Sequence, residues 1–228
     1  DARSAGIELL RAGRVAQVVL AGGMATRFGG VVKGVVEVFD GRSFLDVKLA
    51  ETARLATALR AEIPVSLMTS FATDPTVREH VAQLDVPTPS VFSQFVSLRL
   101  EPDGSLFRGA DGRLSPYSPG HGDLFEALTR SGVLTELRSA GVEQLTISNV
   151  DNLGARVSPS VIGTHLLAGR PLTVEVTAKD GDTGGAPARV GGALRLVEGP
   201  CFPPGFDQDS IPVFNTNTAV VAIDAVRD

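Results

Sequence analysis

Residues 20–33 read LAGGMATRFGGVVK and carry groups suited to a polyanion. Glycine leaves no Cβ between a backbone and a bulky ligand. Backbone N–H groups at a loop and helix start donate to phosphate oxygens. Arg27 and Lys33 add positive charge. The residues fit a phosphate-handling turn at the C-terminal end of a first strand; a flexible strand-to-helix connection is the alternative. Asp151 with Asn149 is the best candidate for a divalent ion, since Mg²⁺ takes oxygen ligands, often one or two carboxylates plus phosphates and water. An Asx-turn or helix cap would use the same residues. His121 stands between two glycines in the loop PYSPGHGD (116–123), where a substrate hydrogen bond and turn structure both remain open. His80 and His165 lie in helical runs and read as surface or packing residues. No G-x-S-x-G elbow, Walker A loop, G-x-G-x-x-G fingerprint or zinc spacing occurs. What remains is phosphate chemistry done by positioning and charge neutralisation.

The elements that would position these groups alternate. A short helix at residues 5–12, with Ile7, Leu9 and Leu10 inward and a stop at Gly13, precedes the apolar run VAQVVL (15–20). That run predicts a strand buried on both faces, as in a parallel sheet. A short strand at 35–39, closed by the Asp40-Gly41 turn, precedes a helix over 44–59. A strand at 64–68, a helix from Asp74-Pro75 to about Leu84 and a strand at 90–92 complete a β-α-β-α-β pattern. A hairpin around Asp103-Gly104 interrupts it. A helix over 124–137, a strand over 144–147 and a helix over 159–167 follow. Strands at 172–177, 193–197 and 213–223 close the chain. The polar clusters 22–33, Ser93-Gln94 and 149–152 all fall at expected strand ends, where open α/β sheets bind ligands.

The chain has 228 residues, 43% hydrophobic and 21% charged, enough for one large core. A net charge of −5 gives no basic footprint for nucleic acid. Lysines are confined to Lys33, Lys48 and Lys179, so Lys33 is not part of a generic lysine surface. Cys201 is alone and suits a reducing cytosol. No apolar run approaches a membrane span. The expected location is cytoplasmic, with no membrane partner.

Taken together the motifs resemble the UTP–sugar-1-phosphate uridylyltransferases, above all the eukaryotic-type UDP-glucose pyrophosphorylases, with kinship to the UDP-N-acetylglucosamine and UDP-sugar pyrophosphorylases. The resemblance is carried, in order, by LAGG (20–23), Thr26-Arg27, Lys33, MTSFATD (68–74), Phe92-Ser93-Gln94, PGHGD (119–123), SNVDNLGA (148–155), VEVTAK (174–179), Gly191-Gly192 and FNTN (214–217). It implies a Rossmann-like three-layer α/β/α sandwich with a mixed, mostly parallel sheet, forming a single nucleotidyltransferase domain over 1–228.

The activity it implies is in-line attack of a sugar 1-phosphate on the α-phosphate of UTP, releasing pyrophosphate. Carried over by position, Leu20, Ala21, Gly22, Gly23 and Thr26 form the nucleotide loop. Arg27 holds the triphosphate and Lys33 neutralises its charge. Gln94 and Gly120 contact uracil, and Asp151 holds Mg²⁺. Asn149 counts among the nucleotide-binding residues and also lines the sugar-phosphate side, with His121, Asp151, Glu175, Gly192, Asn215 and Asn217. The chain departs from the family at Ala25, where a glycine is expected, and at Val190, where Lys-Gly-Gly would begin. Members also continue past FNTN with a second phosphate-binding lysine and usually a β-helix domain, so the chain is expected to be a piece. Rival readings are another sugar such as N-acetylglucosamine, a non-catalytic nucleotide-sugar-binding module and a retaining glycosyltransferase.

Overall fold

The computed structural model describes residues 1–25, 29–181 and 184–226. In chain order the elements are α1 (Ala2–Arg11), β1 (Val15–Leu20), β2 (Met24–Ala25), β3 (Val31–Val32), β4 (Glu37–Phe39), β5 (Arg42–Ser43), α2 (Phe44–Leu59), β6 (Val65–Thr69), α3 (Asp74–Val81) and β7 (Ser90–Ser93). There follow β8 (Ser97–Leu98), β9 (Pro116–Tyr117), α4 (Leu124–Arg130), α5 (Val133–Ser139), β10 (Gln144–Asn149) and α6 (Pro159–Ala168). The last are β11 (Leu172–Ala178), β12 (Ala186–Val190), β13 (Ala193–Val197) and β14 (Val213–Ala222).

Six strands form one sheet in the order β11-β14-β10-β1-β6-β7. β1 pairs in parallel with both β10 and β6, and β6 with β7. β14 runs antiparallel to both its neighbours, so the sheet is mixed and mostly parallel, as expected.

All six residues of β1 are buried, and the five apolar ones serve three hydrophobic clusters. Ala16, Val18 and Leu20 pack with Leu128 and Leu134 of α4 and α5. Val19 packs with Leu45 and Leu49 of α2 and Val77 of α3, while Val15 joins Leu10 of α1 and Ile162 of α6. A strand covered on both faces is what a doubly wound sheet requires, and the three layers follow.

Some boundaries differ from expectation. α1 starts earlier, because the Asp1 carboxylate caps it by accepting from Ser4 N–H at 2.8 Å. The helix expected over 124–137 is two, broken at Gly132, whose φ of +85° helical backbone does not allow. The strand expected at 35–39 begins as a 3₁₀ turn over Lys33–Val35. The Asp103-Gly104 hairpin is present as a single bridge, Leu100 with Leu106, and a second bridge, Arg108 with Leu114, flanks the Asp111-Gly112 turn. β12 was not anticipated; Pro187 lies within it, a position tolerated at the edge of a two-stranded ribbon.

Candidate functional site

A cleft of about 190 Å³ opens at the C-terminal ends of β1, β6, β7 and β10. Leu20, Gly22, Gly23, Lys33, Met68, Gln94, Ser118, Gly120, His121, Asn149, Val150 and Asp151 line it. Three polar clusters far apart in sequence therefore meet, because parallel strands point their ends to one edge. Ala21 supports the cleft from the core: it is fully buried and its N–H donates to Met68 O at 2.8 Å. Thr26 and Arg27 lie outside the described residues.

One end of the cleft is a carboxamide held against glycine. Gln94 is 7% exposed; its N–H donates to Thr69 O (2.9 Å) and its Oε1 accepts from Gly120 N–H (2.9 Å). Its Nε2 faces Gly22, where a Cβ would sit 2.1 Å away. Gly120 adopts φ 90° and ψ −148°, a conformation that side chains disfavour. Gln94 thus keeps an amide N–H₂ to offer a ligand.

Two signature motifs brace this end. Ser70 Oγ donates to Gly22 O (3.0 Å), and Thr69 Oγ1 donates to the Asp74 carboxylate (2.6 Å). The MTSFATD motif thereby fixes the glycine turn from behind. Asp123 accepts from Phe95 N–H at 2.8 Å and pins the PGHGD loop.

The other end carries charge. Lys33 Nζ donates to Asp151 Oδ2 at 2.9 Å, with both side chains more than one-third exposed. The glycine turn reaches Lys33 through a hairpin, β2 against β3, with Lys33 N–H donating to Gly23 O at 3.1 Å. Asn149 Oδ1 and Ser118 Oγ are buried and have no hydrogen-bond partner among the described residues. Both line the cleft, so a ligand or ordered water there can satisfy them.

His121 Nδ1 accepts from Asn217 Nδ2 at 3.0 Å, which leaves Nε2 as the N–H donor (tautomer assigned from this bond). Burial pulls the His121 pKa below its ordinary value; the carboxylates of Glu198 and Asp151 oppose that, and the Lys33 ammonium reinforces it. Asn217 holds a left-handed conformation at φ 57°, and Asn215 Nδ2 donates to its Oδ1 at 3.0 Å. β14 thus delivers the FNTN asparagines to His121 from the antiparallel strand.

Glu175 and Gly192 do not line the cleft. Glu175 sits at the irregularity in the β11–β14 pairing and lines a separate depression with Asn152, Thr216 and Thr218. Gly192 is in the tight turn joining β12 to β13. The glycine pair that approaches the FNTN segment is Gly184-Gly185, whose Gly185 O accepts from Asn215 N–H at 2.7 Å. Gly185 backs onto Glu198, 2.9 Å from where a Cβ would stand. Sequence reading missed Ser118, Gly185 and Glu198. Only a second Gly-Gly pair upstream of the first could have pointed to one of them.

Among the described residues no group of three His, Cys, Asp or Glu side chains is placed to hold a metal. One carboxylate, a buried amide oxygen and room for phosphate oxygens is nevertheless a donor set that suits Mg²⁺. Among the described residues no helix is long and apolar enough to cross a membrane.

The family model described as UTP–glucose-1-phosphate uridylyltransferase matches residues 4–228. The chain is 32% identical over 228 residues to the UTP–glucose-1-phosphate uridylyltransferase of Saccharomyces cerevisiae, covering 94% of this chain and 46% of that protein. A mutant of UDP-glucose pyrophosphorylase from Leishmania major, solved in complex with UDP-glucose, aligns at TM-score 0.79 with 23% identity, over 97% of this chain and 51% of that one. The uridine diphosphate N-acetylglucosamine pyrophosphorylase of Trypanosoma brucei, solved with an inhibitor, aligns at TM-score 0.79 with 22% identity, over 97% and 50%. These structural likenesses establish the fold. The chain spans about half the length of the relatives it matches.

Proposed function

The chain belongs to the UTP–glucose-1-phosphate uridylyltransferase family, and on that premise we propose that the whole protein makes UDP-glucose and pyrophosphate from UTP and glucose 1-phosphate. The observation that carries this reading is the convergence of an amide reader, a glycine turn, a lysine–aspartate pair and a His–Asn pair on one cleft.

In this reading Gln94 and Gly120 take the uracil edge, and the Gly22-Gly23 backbone lies along the triphosphate. The Lys33–Asp151 pair, being partly exposed, is worth only about 0–1 kcal/mol, so phosphate oxygens can replace Asp151 as the lysine's partner at little cost. Lys33 then neutralises charge redistributed over the α-phosphate oxygens during the in-line attack. Asp151, freed from Lys33, and Asn149 Oδ1 are the residues that would hold Mg²⁺. When bound, the ion supplies further neutralisation of phosphate charge. Neutral His121 donates from Nε2 to the sugar phosphate, its ring fixed by Asn217.

Pyrophosphate release by the full-length protein, given UTP, glucose 1-phosphate and Mg²⁺, tests the reading. A Lys33→Ala variant is expected to lose about a hundredfold or more in kcat while keeping uridine nucleotide affinity near normal. Absence of product from the full-length protein would sink the proposal. Undiminished turnover in Lys33→Ala would remove the role of that lysine.

A further inference from the structure

The ladder of β10 ends at Asn149, and Val150 N–H makes a bond to Leu20 O at 3.1 Å. Beyond it the chain turns through residues 152–155, carrying Asp151 at the cleft mouth. Lys48 reaches this turn from the core side. It lies on α2 and is only 2% exposed. Its ammonium donates to Asn152 O at 2.5 Å and to Ala155 O at 2.9 Å, the two ends of the turn. Ala155 N–H closes the same turn onto Asn152 O and Asn152 Oδ1, both at 3.2 Å. Asn152 Nδ2 contacts Thr216 O at 3.5 Å, one residue before Asn217. One buried cation thus ties α2 to the segment that bears Asn149 and Asp151 and, through Asn152, to the segment that bears Asn217.

Taking an ammonium out of water is costly unless it is well bonded, and an apolar side chain would fill the same space without that cost. Burial pulls the Lys48 pKa down to about 8, against the raising influence of Glu51 and Asp151. The bonds that offset this cost are those to Asn152 O and Ala155 O, so they act on the turn that carries them. Resting on the function proposed above, we infer that Lys48 is a positioning residue: it clamps the 152–155 turn and so sets Asp151 and Asn149 against Lys33 and His121. It touches no substrate. The Gln94–Gly22–Gly120 end is built from other elements and does not depend on it.

The test uses the full-length protein with Lys48→Met and Lys48→Arg. In Lys48→Met, kcat falls about tenfold or more and KM for glucose 1-phosphate rises, as expected for a small misplacement of reacting groups. Affinity for UMP, measured by calorimetry, stays within about twofold, a split that general loss of fold would not produce. Amide hydrogen exchange quickens over residues 149–155 and not over β1 or β6. Lys48→Arg, which keeps the charge, recovers part of kcat. Kinetics and exchange unchanged in Lys48→Met overturn the inference, as does UMP affinity falling in step with turnover. If Lys48→Met does not fold, Lys48→Gln, uncharged and shorter, takes its place, and unchanged exchange over residues 149–155 together with unchanged turnover in that variant overturns the clamp. If the wild-type protein releases no pyrophosphate, the functional reading fails by itself, and the exchange data still decide whether Lys48 holds the turn.

Discussion

At Gly22 a side chain would stand where Gln94 Nε2 already is, 2.1 Å from an added Cβ, and Thr69 backbone would be 3.3 Å away on the same side. A flexible amide can move, but moving it breaks the bond from Gly120 N–H and misaims the group offered to a ligand. Gly22→Ala is therefore expected to weaken UMP binding by about tenfold, the worth of roughly one lost neutral hydrogen bond. Calorimetric titration checks it, and unchanged affinity would mean that Gln94 does not read the base. Gly22, Gln94 and Gly120 were each legible as motif residues. Their mutual contact was not, because it depends on β1 and β7 ending at the same edge of the sheet. Glu198 had no motif of its own in the sequence reading; only the approach of Gly185 places its carboxylate near His121.

Elements set how close these groups come. α1 and α6 cross at two glycines, Gly6 and Gly163, and a Cβ on Gly163 would meet Ala2 O at 1.6 Å. Backbone cannot yield as a side chain end can, so Gly163→Ala should cost about 1–3 kcal/mol or more by overpacking. The thermal midpoint is expected to fall by several degrees, while UMP affinity, belonging to the opposite edge, stays put. Equal midpoints would show that the helices part without penalty. This crossing was not readable from the helical run 159–167, because it depends on where α1 packs against it. Helix periodicity did find α2 to its ends, since amphipathic spacing is local; the structure adds a Ser43 cap, whose Oγ accepts from Asp46 N–H. Periodicity ran α4 and α5 together, because the apolar pattern continues across the break at Gly132.

For the molecule as a whole, two imidazoles with lowered pKa, His165 in the core and His121 at the cleft, give the fold a pH dependence. His165 is 2% exposed, with Nδ1 2.7 Å from Thr173 Oγ1 and Nε2 3.0 Å from Gln144 Oε1. Burial lowers its pKa, and burial likewise lowers that of His121. The unfolded chain then takes up these protons first as pH falls, at about 6.5, so stability is lost below that value and levels off once the native imidazoles also titrate. Urea midpoints at pH 5.5 should lie below those at pH 7.5. The gap should shrink in His165→Gln, and a gap of the same size would exclude His165 as a source. The sequence by itself determined the alternation of strands and helices, the strand-end placement of the polar clusters and the family, because these rest on local propensity, hydrophobic period and contiguous motifs. Tertiary structure alone decided which clusters share the cleft, that Glu175 and Gly192 stand apart from it, that Gly185 is the glycine that approaches FNTN, and that Lys48 lies beneath Asp151. Those facts depend on strand order, hairpin register and burial, which contiguous residues do not encode.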